Sequence, residues 1–149
     1  MSIESKYTEL NQYPKEMDLQ PPASEKEIDD FQTETGILLP EELKALYRLF
    51  NGGEIFVPGT TIFGFTRRGR VPSLQEINDG ERRETDSIPD QYLIIAKLNF
   101  GDYICIDTSG SGHLIQWNHE IDKEETEWAD LEEWLADEIQ LNERLMGEI

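Results

Sequence analysis

The side chains of this sequence that could do chemistry lie mostly between positions 102 and 127: His113 and His119, Ser109 and Ser111, and a series of carboxylates from Asp102 to Glu127. A metal site needs three or four converging ligands. Two histidines six residues apart around one strand, with Asp107 and Glu120 near in sequence, do not make up that set by spacing, so no metal is expected. A glycosidase needs two carboxylates flanking the scissile bond. Pairs can be drawn from Asp102, Asp107 and Glu120, but thirty-two acids in one chain produce such pairs by chance. Ser109, Ser111 and His113 join hydroxyls to an imidazole, yet they occupy a Gly-rich turn without a nucleophile elbow or an evident oxyanion hole. Gly110-Ser111-Gly112 is followed by no Lys and leads into a strand where a phosphate loop would open a helix. Neither a catalytic cycle nor a cofactor is expected.

Charge points to binding instead. Thirteen basic residues against thirty-two acidic ones leave a net charge of −19, which repels phosphate backbones and anionic membrane and complements a basic protein. The acids concentrate toward the end: residues 120–149 hold twelve, opposed only by Lys123 and Arg144. Arg67, Arg68, Arg70, Arg82 and Arg83 gather elsewhere, so the field is expected to be polarised. Glu120, Asp122, Glu124, Glu125 and Glu127 are the candidate partner-binding residues, because clustered carboxylates speed encounter with a cationic surface and pair with its Arg and Lys. A solvated acidic face that only keeps the chain soluble is the alternative. The Arg67-Arg68-Gly69-Arg70 run lacks the aromatic platform of a nucleic-acid site and reads as a hairpin end.

The elements that must position these residues can be read from local pattern. At 149 residues and 37% apolar, the chain suits one domain and one core, with residues 1–22 a polar, irregular or partly helical lead-in and 23–146 the core of the domain. Ser24-Glu25-Lys26-Glu27 is a capping box opening a helix that Gly36 can close. Pro40 starts a second helix with Leu43, Leu46, Tyr47 and Phe50 at helical spacing, stopped by Asn51-Gly52-Gly53. Ser73 opens a short helix around Ile77, followed by a charged loop over 79–86. Strands are expected at 55–57, 61–65, 92–96, 102–107 and 113–117. Cys105, the only cysteine, falls in one of them as a buried small hydrophobe. A final helix from about Glu127 carries the stripe Trp128, Leu131, Leu135 and Ile139. Linkers too short for parallel crossovers predict an α+β domain: a mostly antiparallel sheet of about five or six strands, with helices packed on one side, two or more before it and one after. With no export signal and no apolar run of about eighteen residues, a cytoplasmic location is expected.

Gly36-Ile37-Leu38-Leu39-Pro40-Glu41-Glu42-Leu43, then Leu46-Tyr47-Arg48-Leu49-Phe50-Asn51-Gly52-Gly53, resembles the N-terminal signature of the SUKH superfamily, the Smi/Knr-like proteins. Thr61-Ile62-Phe63-Gly64-Phe65, Phe100-Gly101-Asp102-Tyr103-Ile104-Cys105-Ile106-Asp107, Gln116-Trp117-Asn118-His119 and the closing Trp128 to Leu135 segment follow in the family's order. The resemblance implies a mixed α+β domain. It also implies an immunity protein that binds and blocks a cognate toxin domain, often a nuclease, or in the fungal branch a regulator of cell-wall synthesis and signalling. The shared motif residues, Pro40, Asn51, Gly52, Gly53, Gly101, Asp102, Asp107 and Trp117, are expected to be structural.

Overall fold

The computed structural model describes residues 2–85 and 87–147. Its elements are α1 (Ile3–Leu10), a 3-10 turn (Pro14–Glu16), β1 (Met17–Leu19), α2 (Glu25–Thr35), α3 (Glu41–Leu49), β2 (Gly53–Ile55), β3 (Thr60–Ile62), α4 (Leu74–Glu84), β4 (Tyr92–Lys97), β5 (Tyr103–Asp107), β6 (Leu114–Asn118), β7 (Lys123–Trp128) and α5 (Leu131–Gly147). The seven strands pair antiparallel in chain order, so the sheet is a single meander with β1 and β7 at its two ends. This is the α+β architecture the pattern predicts, with two more strands than it locates.

Local chemistry explains most boundaries. Ser24 and Ser73 accept from the backbone N–H of Glu27 and Glu76, whose carboxylates reach back to the serine N–H, and these reciprocal bonds start α2 and α4. Gly36 ends α2 at φ 72°. Pro40 is the cap just before α3, one residue ahead of the first helical position. The lead-in folds too: Ser2 caps α1, which buries Ile3 and Leu10.

Three expectations need correction. The charged segment 79–86 is no loop over most of its length, because α4 continues to Glu84; Asp86 lies outside the described residues. Trp128 does not belong to the last helix. It ends β7, and α5 starts three residues later, burying Leu131, Trp134, Leu135 and Ile139. Nor do all helices share one side of the sheet. Tyr103 pairs with Trp117 and donates its hydroxyl to Glu81 of α4, whereas Gln116, one residue away and so on the opposite face, lies along α5. α1, α3 and α5 pack together on that second face, and one core cluster includes their buried side chains.

Candidate protein-binding surface

The five candidate carboxylates come together on the turn after β6 and on the edge strand β7. Asn118 starts the turn: its Oδ1 accepts the N–H groups of Glu120 at 2.9 Å and Ile121 at 3.3 Å. Beneath it Asp102, buried where the β4–β5 turn enters β5, accepts the backbone N–H of His119 at 3.1 Å, the His119 ring N–H, and Gln116 Nε2 at 2.9 Å. Burial alone would raise the Asp102 carboxyl, but the hydrogen bonds from Gln116 and His119 outweigh it and hold it below its usual range. Gly101 precedes it at φ 106°, and a Cβ there would also meet the His119 ring at 2.9 Å, so the position calls for glycine on both counts. One buried acid thus fixes the turn that carries Glu120 and Asp122.

Along β7, Glu124 stands opposite Trp117 and Glu127 opposite Ile115, so both point to the α4 face. A bulge between these pairs leaves Glu125 without a partner residue on β6, and its carboxylate accepts from Asn118 Nδ2 at 3.2 Å. All five carboxylates are exposed, and none forms an ion pair among the described residues. Apart from its ladder to β6, the backbone of β7 takes part in no hydrogen bond with the other described residues. The result is an open strand edge with acids on both faces.

Asp107 is the second hub. It accepts from Ser109 N at 3.0 Å, Ser109 Oγ at 2.7 Å, Ser111 N at 3.3 Å and Ser111 Oγ. Burial pushes its carboxyl up, but the serine donors pull harder and bring it to about 2. Ser111 Oγ also meets His113 Nδ1, and His113 Nε2 meets the Tyr92 hydroxyl at 2.7 Å. In a hydrolytic triad the imidazole stands between carboxylate and hydroxyl, so that it can take the hydroxyl proton. Here the serine stands between, its proton directed at Asp107. His113 and His119 belong to these two separate hubs, and among the described residues no three His, Cys, Asp or Glu side chains are placed to hold a metal ion.

The remaining motif residues hold the sheet together. Asn51 Oδ1 accepts the N–H of Phe65 at 2.8 Å. Gly52 and Gly53, at φ 77° and 142°, let β2 pass its neighbours: a Cβ would meet Ile62 O at 2.6 Å and Asp18 O at 2.4 Å. Trp117 is buried on β6. The sequence reading missed Glu42, whose two oxygens accept the N–H groups of Leu131 and Glu132 and so cap α5 from another helix. It also missed Asn78, which donates to Ile94 O at 2.9 Å and accepts from Ile94 N at 2.8 Å at the bulge in β4. A buried-facing Asn inside a capped helix was the available signal for the second.

A family model, described as SMI1 / KNR4 family (SUKH-1), matches residues 22–137. No curated protein matches the chain.

Proposed function

We propose, from the premise that the chain belongs to the SMI1 / KNR4 family (SUKH-1), that it is a cytoplasmic immunity protein: it binds a cognate toxin domain, a basic nuclease, and blocks its active site or substrate path without catalysing any reaction. The observation that carries this reading is the exposed row Glu120, Asp122, Glu124, Glu125 and Glu127, in no ion pair among the described residues and set on the turn after β6 and the open strand edge that follows it. A nuclease must keep Arg and Lys exposed for its phosphates, and those are the groups that such carboxylates attract and cover. The same charge disfavours nucleic acid and anionic membrane as partners. Among the described residues no helix is long and apolar enough to cross a membrane.

The test is the association rate with the cognate toxin domain, at two ionic strengths, for the wild type and for a variant with the five acids replaced by Gln or Asn. Steering by clustered charge is worth about one to three orders of magnitude at low salt, so the variant should associate at least about tenfold more slowly and respond less to salt. Equal rates and equal salt slopes would reduce the acids to a solubilising role.

A further inference from the structure

Beyond its core stripe, α5 turns a second face, Asp137, Glu138, Leu141 and Leu145, onto a groove of about 570 Å³ whose other side includes the hairpin tip at Phe100. Three of the six large apolar side chains exposed on the described chain border this groove: Phe100, Leu141 and Leu145, at 60%, 44% and 49% of full exposure. Scattered singly they would mean little; gathered around one depression they form a patch of the kind that marks an interaction site. Within the patch stand two carboxylates with acceptor capacity to spare. Asp137 accepts one hydrogen bond, from Trp128 Nε1 at 2.7 Å, and Glu138 one, from Thr60 Oγ1 at 3.0 Å, where a carboxylate offers about four lone-pair sites. Burial raises the Glu138 carboxyl above its usual range. Neither acid is in an ion pair among the described residues, although Arg144 borders the same groove.

We propose that this groove is the anchor site for a protein partner, and that it takes a segment presenting an arginine beside an apolar side chain. The guanidinium fills the open acceptor positions of Asp137 and Glu138, while its aliphatic stem and the apolar neighbour cover Phe100, Leu141 and Leu145. Charge selects this occupant: a second copy of the chain, also at −19, would be repelled. The inference rests on the immunity reading for the existence of a protein partner, and it divides the work of binding. Acids on β7 speed encounter; the groove, reached at Trp128 where β7 ends, slows release.

The groove can be tested apart from any toxin by NMR titration with n-butylguanidinium, an arginine side-chain analogue. Saturable shifts are expected at Phe100, Leu141, Leu145 and the Trp128 indole. Affinity should fall about tenfold in Glu138→Gln, which can still accept from Thr60, and at least about threefold in Phe100→Ala, an exposed position where folding is not at stake. The five-acid β7 variant should stay within about twofold of wild type, since the two sites are distinct. Binding lost in the β7 variant but kept in both groove variants would overturn the groove and leave acidic capture standing. Shifts that never saturate, or an equal response to plain guanidinium, would also overturn it.

Discussion

Asp102 and Asp107 stand at the two ends of β5, and each is buried and ringed by donors. The family resemblance implies a structural role for both, and in the structure each ties a turn to the sheet. What sequence could not supply was the donors' identity, because Gln116 and His119 reach Asp102 across a strand pair and not along the chain. Asp107 yields a prediction with a definite sign. Its carboxyl moves from 3.8 to about 2 on folding, so its contribution is complete above pH 3.8 and is lost as pH falls through about 2. Asp107→Asn should therefore cost about 1–3 kcal/mol at neutral pH, by weakening charge-assisted bonds to Ser109 and Ser111. In urea unfolding over a pH series, the gap between wild type and variant should narrow as pH drops below 3.8. A gap of constant size would mean that the side chain acts by shape and not by charge.

Helix starts were legible because capping is local: Ser24 and Ser73 announce α2 and α4 within four residues. β7 was not. A strand is usually recognised by one apolar face, and Lys123–Trp128 is exposed at every position but its last, so no alternation marks it. The full length of α4 was hidden for a related reason, since Gly80 and a run of charges resemble a loop. In the fold Gly80 sits inside the helix without a positive φ, and a Cβ there would meet nothing within 4 Å. Gly80→Ala should then stabilise the protein by about 0.4–1 kcal/mol, through helix propensity and a less disordered unfolded chain. A calorimetric or urea midpoint at or below that of wild type would show that α4 gains nothing from being rigid there.

At the scale of the whole molecule, the net charge of −19 opposes the compact state, because folding brings like charges together. The sequence shows the acids gathering toward its end, and the sheet order adds where five of them stand: on the turn after β6 and on the edge strand β7, without basic partners among the described residues. A surface shaped by folding alone would gain by interspersing lysines; one kept for a cationic partner must tolerate the strain until that partner arrives. Neutralising Glu120, Asp122, Glu124, Glu125 and Glu127 brings the charge from −19 to −14, that is −19 plus five. At low salt this variant should be as stable as wild type or more so, by up to about 1 kcal/mol, since adjacent like charges each cost a few tenths. Added salt should raise the melting temperature of wild type more than that of the variant, because screening relieves a repulsion the variant no longer has. Thermal unfolding of both proteins across a salt series makes the comparison. A clear loss of stability on neutralisation would mean that the carboxylates hold β7 in place, and the acidic strand would then be a structural element and not a surface held ready for a partner.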